Sequence, residues 1–288
     1  MSLEHIHRIV ILGVGLIGGS VGLALKRAKF PGKIVGLDQR WSPLKRAIDQ
    51  DAVDYTTLDF EEALGDADLL LISTPVNAIP TMPEEAIKFT RSGCIIMDTG
   101  ITKGQLVAEI EKTMPEGIHF VGAHPMVGSH RTGVAAAGPN LFEGSLCIIT
   151  ATESTNTEAI HVVSELWETV GARVEIMSPQ EYDNFAAAVN YLPYVVACAL
   201  VQVVDDIESD GKRAIDFTAT GFAHATRIAS SDPRSWGGIL LQNADIVSSK
   251  LGEFEKEIAN LRELLDDRDE EKLLKKLKQA KQIRDEPG

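Results

Sequence analysis

Two features of this 288-residue chain have a spacing that could do chemistry: the run Gly13-Val14-Gly15-Leu16-Ile17-Gly18 and a single acid, Asp38. An apolar stretch from Arg8 to Leu12 leads into the glycines, and a helical pattern follows. A second apolar stretch, Lys33 to Leu37, then ends on Asp38 about twenty residues after the turn, the order a dinucleotide site requires. Gly13 permits a tight turn, Gly15 lets the backbone approach a pyrophosphate, and Gly18 lets the helix pack close to the strand. The start of the helix, at Leu16 and Ile17, offers free N–H groups and a positive dipole end to the phosphates. The Asp38 carboxylate can accept from ribose hydroxyls and would repel a 2′-phosphate, which favours NAD over NADP. Arg40 has two readings, as a partner for such a phosphate or as a solvated loop residue lying on adenine.

In sheets of this kind ligands gather at the carboxyl ends of the strands. Four such places are chemically rich: Ser73-Thr74-Pro75, which should face the cofactor, Asp98-Thr99-Gly100, whose Asp98 and Gly100 are counted with the cofactor site, His124-Pro125-Met126, and the stretch 178–194. His124 is the strongest catalytic candidate. Removing a hydride from an alcohol carbon needs a partner for the hydroxyl proton, and neutral imidazole, with an ordinary pKa near 6.5, suits that task. Pro125 is expected to stop the strand at once and leave the ring projecting at the sheet edge. The competing reading is a structural histidine bonded to backbone. Arg227, in a helical stretch, could hold a carboxylate through two parallel hydrogen bonds or make a surface ion pair. Trp236 walls a pocket or fills core, and Arg131 meets a ligand or solvent.

The elements that position these residues alternate in the first half. Strands are expected at 8–13, 33–38, 69–73, 94–98, 120–123, 146–150 and 173–176. Helices are expected at 16–29, 42–51, 60–65, 79–90, 103–113 and 155–170. That alternation implies a mostly parallel, doubly wound α/β sheet of Rossmann type. After Ser178-Pro179 the pattern turns helical, with helices expected at 180–208, 212–217, 219–230, 233–265 and 269–284. The expected division is therefore a dinucleotide-binding domain, 1–178, and an all-helical domain, 179–288. Apolar faces such as Val195 to Val201 suggest that the helical domain buries itself against a second subunit.

A net charge of −14 argues against nucleic-acid or membrane-surface partners. Cys94, Cys147 and Cys198 are far apart, sit in apolar runs and read as buried thiols of a reducing compartment, without metal-ligand spacing. With no signal-peptide pattern and no apolar run of spanning length, a cytoplasmic enzyme is expected.

Together the motifs resemble one family, the prephenate and arogenate dehydrogenases of tyrosine biosynthesis. The matching stretches are Gly13 to Ser20, Asp98-Thr99-Gly100 with Lys103, and His124-Pro125-Met126-Val127-Gly128. Others are Leu141-Phe142-Glu143-Gly144, Leu192-Pro193, and Thr226-Arg227-Ile228-Ala229 with Asp232-Pro233 and Trp236. The resemblance implies NAD-linked oxidative decarboxylation, giving 4-hydroxyphenylpyruvate from prephenate or tyrosine from arogenate. It implies that His124 takes the ring hydroxyl proton and Arg227 holds a substrate carboxylate, with Asn190, Tyr194, Thr102, His130 and Trp236 around the substrate. It also implies a homodimer through the helical domain. The chain departs from the family where Ile101 replaces a common serine, His130 a common acid, and Tyr182, Tyr191 and Tyr194 common histidines. Those departures bear on the substrate more than on the reaction type. The alternatives are the same fold acting on another hydroxy acid or an amino-substituted prephenate, and a non-catalytic NAD-sensing relative. A β-hydroxyacid dehydrogenase of the usual kind would carry a lysine on the long helix, and residues 180–208 contain none.

Overall fold

The computed structural model describes residues 2–127 and 133–286; the candidates His130 and Arg131, with Gly128, lie outside the described residues. Eight strands form one sheet in the order β3-β2-β1-β4-β5-β6-β7-β8. They are β1 (Arg8–Leu12), β2 (Lys33–Leu37), β3 (Tyr55–Thr57), β4 (Leu69–Ile72), β5 (Ile95–Asp98), β6 (His119–Pro125), β7 (Leu146–Thr150) and β8 (Arg173–Met177). The first six run parallel, and β7 and β8 run against them. Helices α1 (Leu16–Arg27), α2 (Trp41–Asp49), α3 (Phe60–Leu64), α4 (Met82–Ala86), α5 (Gly104–Thr113) and α6 (Thr157–Thr169) connect the strands. Separate apolar clusters form on the two faces of the sheet: Ile9 and Ile11 belong to one, Val10 and Leu12 to the other. Coverage on both faces is why the central strands read as unbroken apolar runs rather than alternating ones.

The glycine turn shows the reason for its sequence. Gly13 sits at φ +90°, and a Cβ there would lie 2.6 Å from the Ser73 carbonyl oxygen. Gly13 N donates to Leu37 O at 2.9 Å and Ser73 N to Leu12 O at 2.8 Å, so the turn is tied to both neighbouring strand ends. A Cβ at Gly18 would meet the Gly13 oxygen at 2.5 Å, which measures how closely α1 rides over the turn.

Several expectations are corrected. The short strand β3 was not foreseen. The helix expected over 79–90 is a 3-10 turn at Ile79–Thr81 followed by the brief α4, where Pro80 and Pro83 suit only first-turn positions. Pro125 does not stop β6. The strand runs through it, pairing His124 with Ile148 and Pro125 with Cys147 of the antiparallel neighbour. Pairing with β5 extends only to Val121, so β6 overshoots β5 and carries His124 past the sheet's parallel edge.

Beyond β8 the chain is helical: α7 (Pro179–Ala186), a π-helical turn at Ala187–Tyr191, α8 (Leu192–Asp205), α9 (Thr220–Thr226), α10 (Pro233–Gln242), α11 (Ala244–Asp266) and α12 (Glu270–Asp285). The helix expected at 212–217 is instead a hairpin, Glu208–Ser209 against Lys212–Arg213, followed by a 3-10 turn. Asp210 and Gly211 take φ of 52° and 73°, the positive angles that an Asp-Gly hairpin turn uses. The helix expected at 233–265 breaks at Asn243. The long helix near 180–208 contains the π-helical turn and stops at Asp205. The run Pro179–Asp205 also overturns the expectation about spanning length. Its most apolar 18-residue window has a mean hydropathy of 1.7, and only 22% of that window is buried.

Candidate active site

Gly15 precedes α1 at φ −94°, makes no side-chain cap, and has nothing within 4 Å of the place a Cβ would occupy. The open space over a helix N-terminus is shaped for a phosphate pair. Leu16 and Ile17 form the first turn of that helix. Asp38 follows β2 directly, half-buried, and accepts from Arg40 N at 3.1 Å, while the Arg40 side chain is exposed. At the end of β4, Ser73 and Thr74 are half-buried beside exposed Pro75, and Thr74 Oγ1 is buried with no hydrogen-bond partner among the described residues. A buried orphan hydroxyl beside a glycine cradle fits a polar ligand, so the residues present suit a dinucleotide. The two glycines of the turn should respond differently to mutation. Gly13→Ala should destabilise the fold by more than about 1 kcal/mol, because it strains φ and strikes Ser73. Gly15→Ala should hold its thermal midpoint within about 2 °C and lose roughly 5- to 100-fold in NAD affinity. Calorimetric titration beside a melt separates the two, and intact NAD binding in Gly15→Ala would remove the cradle from that role.

Asp98 and Gly100, counted from sequence with the cofactor site, are both buried in the turn after β5. Asp98 is fully buried, and its carboxylate accepts from Lys103 Nζ at 2.8 Å, Gly100 N at 2.7 Å and Ala123 N at 3.3 Å. Lys103, also fully buried, donates to the Gly100 carbonyl as well. Burial pushes the Asp98 carboxyl up, against the pull of Lys103 and the two N–H donors. The pair locks the turn after β5. Next along the chain, Lys103 N and Gly104 N donate to the two oxygens of Asp183 at 3.0 and 2.7 Å. A carboxylate from α7 therefore caps α5, satisfying its free N–H groups and its dipole across the two halves of the molecule. Thr102, nearly buried, donates to Gln242 Oε1 of α10 at 2.9 Å, a second tie between the halves.

His124 sits at this junction, half-buried, with Nδ1 2.8 Å from the Tyr182 hydroxyl and the two rings edge-on at 5.7 Å. Burial, with the charge of Lys103 second, holds the imidazole down to about 3, so the ring is neutral at pH 7 and able to accept a proton. The Tyr182 hydroxyl donates to the Ile101 carbonyl at 3.0 Å, and Tyr191 donates to the same oxygen. In the sequence both tyrosines stand out only as departures from a family pattern. A main-chain acceptor at Ile101 has no signature in residue type.

The π-helical turn carries Asn190, whose Nδ2 is buried without a partner among the described residues. Such turns recur at functional sites. One helical turn on, Tyr194 stacks on Trp236 at 4.0 Å and 4°, and Tyr191 meets the same indole edge-on at 6.4 Å. Arg227 opens the 3-10 turn Arg227–Ser230, which packs on α8. Its side chain is exposed and makes no hydrogen bond or ion pair among the described residues, so the surface ion pair weighed from sequence is absent there. Cys94 and Cys147 are buried, while Cys198, on α8, is only half-buried.

A glycine cradle over a helix N-terminus, an acid after β2 and a neutral histidine at a strand end define a dinucleotide-dependent dehydrogenase with a helical second part. Residues 21–176 match the prephenate dehydrogenase nucleotide-binding domain, and residues 178–279 match the prephenate dehydrogenase dimerization domain. Prephenate dehydrogenase of Bacillus subtilis (strain 168) is 36% identical over 279 residues, spanning 96% of this chain and 75% of that protein. Cyclohexadienyl dehydrogenase of Zymomonas mobilis is 32% identical, spanning 96% of this chain and 94% of its own. A crystal structure of prephenate dehydrogenase from A. aeolicus with hydroxyphenyl propionate and NAD+ aligns at a TM-score of 0.91 and 33% identity. It covers 96% of this chain and 97% of that one. The chain belongs to the prephenate dehydrogenase family.

Proposed function

We propose that the protein oxidatively decarboxylates prephenate with NAD, and that His124 is its proton acceptor. The observation carrying this reading is a neutral imidazole at the end of β6, in the same sheet as the dinucleotide cradle and in contact with Tyr182 of the helical part. NAD supplies the nicotinamide ring that takes the hydride from the carbinol carbon of the substrate. His124 accepts the hydroxyl proton as that carbon becomes a carbonyl. The ring carboxylate then leaves as carbon dioxide, its bonding pair enters the ring, and the proton returns to the phenolate oxygen. Arg227 holds a substrate carboxylate in a two-pronged grip. Asn190 offers its unused amide N–H, and Tyr194 and Trp236 supply a flat apolar wall. Residues 1–178 then act as the nucleotide-binding domain and 179–288 as the substrate-binding and dimerisation domain.

Arogenate is the second reading. A neutral aromatic pair stands where a histidine is frequent in the family, which suits the amino group of arogenate at least as well as the keto group of prephenate. NADH formation by the purified protein with each substrate separately, and with NADP as a control, tests both. Turnover with neither would overturn the reading. Arg227→Ala should raise KM for the accepted substrate roughly 10- to 100-fold, since hydrogen bonds to charged groups are worth about 1.5–3 kcal/mol. The Kd for NAD should not move. A KM unchanged from wild type would show that the carboxylate is held elsewhere.

The mostly exposed apolar window within Pro179–Asp205 is read as the face that a second copy of the chain covers, in keeping with the dimerization-domain match. Sedimentation should give a dimer; a monomer that partitions into lipid vesicles would reverse that assignment. The three free cysteines suit a reducing, cytoplasmic setting.

A further inference from the structure

We infer that Tyr182 is a positioning residue that fixes His124 as the Nδ1–H tautomer and leaves the Nε2 lone pair as the proton acceptor. This rests on the reading of His124 as the base. The argument is one of proton counting. A tyrosine hydroxyl carries one proton and can accept others. Its oxygen lies 3.0 Å from the Ile101 carbonyl, which can only accept, and 2.8 Å from His124 Nδ1, which can do either. Were the proton aimed at Nδ1, the tyrosine and carbonyl oxygens would face each other at 3.0 Å with no hydrogen between them. Aimed at Ile101, it satisfies the carbonyl, and the hydroxyl oxygen is then free to accept Nδ1–H. Only this second arrangement satisfies every close contact, and in a nearly dry setting an unsatisfied pair is costly. Tyr182 is 2% exposed, and burial holds its hydroxyl well above the ordinary tyrosine range, so the proton it needs is always present.

The anchoring oxygen is itself held on two sides. Tyr191 donates to its other lone pair, and the turn bearing Ile101 is pinned by Lys103 bonding Gly100 and Thr102 carbonyls. This gives the departures from the family pattern a common physical meaning. The side chain at 101 has no hydroxyl, but its carbonyl gathers two of the three unexpected tyrosines, and one of those orients the base. Which nitrogen of a histidine carries the proton is set by the bond the other one makes, here to a phenol rather than a carboxylate. A phenol orients the ring without adding a negative charge that would raise its pKa, consistent with an imidazole held low.

The test uses the full-length protein with Tyr182→Phe, which removes one oxygen and keeps the ring. With the substrate that wild type accepts, kcat should fall roughly 10- to 100-fold, part of the ~10²- to 10⁴-fold a positioned base supplies. KM and the Kd for NAD should stay within about twofold, as expected when the lost interaction acts on the chemical step alone. Independently of substrate, two-bond ¹⁵N–¹H correlation spectra of wild type should show the His124 ring protonated at Nδ1 and bare at Nε2, and Tyr182→Phe should show a mixture. An Nε2–H ring in wild type overturns the inference, as does an undiminished kcat in the variant. If the variant does not fold, the wild-type spectrum alone decides. If wild type turns over neither substrate, the functional reading fails while the spectrum still tests the tautomer.

Discussion

His124→Asn abolishes most turnover, by roughly 10²- to 10⁴-fold, while NAD binds as in wild type. The expectation follows from where the ring stands. His124 lies on a strand that has outrun its parallel neighbour, beside the turn after β5 and against α7, while the glycine cradle belongs to β1 and α1. Asparagine keeps a polar group of similar reach and can still meet the Tyr182 hydroxyl, but it cannot accept a proton at neutral pH. The pH profile adds a second check. Burial and Lys103 hold the imidazole at about 3, against 6.5 for the free group. The free enzyme should therefore show no loss of kcat/KM as pH falls through 6.5, and the acid limb should come later. The same shift has a sign for stability. Neutral His124 stabilises the fold fully above 6.5, and that contribution is lost as pH falls toward 3. Turnover unchanged in His124→Asn would end the assignment, and an acid limb centred at 6.5 would show that the ring is better solvated than its surroundings imply.

The parts of this molecule legible in its sequence are those where residue type and period carry the physics. Ile9 to Leu12 and Leu69 to Ile72 read as buried strands because both faces of the sheet are covered, and Gly13 read as a turn because its φ is closed to other residues. The direction of β7 was not legible. An apolar run such as Leu146 to Thr150 looks the same whichever way it is paired, and only the connection decides. Pro125 misled for a related reason. Proline removes one donor, and β6 tolerates that at its final residue, where the ladder ends. The Asp210-Gly211 pair carries a hairpin signal in its residue types, which the helical texture around it masks. Within the site, His124 and Arg227 could be singled out because their side chains carry the chemistry. The carbonyl of Ile101 and the cap that Asp183 places on α5 could not. One is main chain, and the other links residues about eighty positions apart, so neither leaves a local pattern.

Lys103→Met should cost about 3–5 kcal/mol of stability at neutral pH, the largest structural effect of any single substitution in this site. Lys103 and Asp98 have no exposed side-chain surface, and among the described residues the ammonium is the only full positive charge bonded to that carboxylate. Methionine fills the volume but leaves an anion with two N–H donors, and it strips a donor from the Gly100 and Thr102 carbonyls. The carboxyl then escapes its penalty only by binding a proton. With Asp98 titrating above its unfolded value, the penalty is present when it ionises and fades as pH falls. Urea melts should accordingly find the variant less impaired at pH 5 than at pH 7.5. Adding Asp98→Asn should recover part of the loss, because the buried charge goes with it. The effect reaches the chemistry as well. The same ammonium pins the turn whose Ile101 carbonyl gathers Tyr182 and Tyr191, and its charge helps keep His124 neutral. Lys103→Met should therefore lower kcat and move the acid limb of the pH profile upward. A variant as stable as wild type at pH 7.5, or one that Asp98→Asn only weakens further, would mean that the two N–H groups alone hold the carboxylate, and that Lys103 serves the turn through packing.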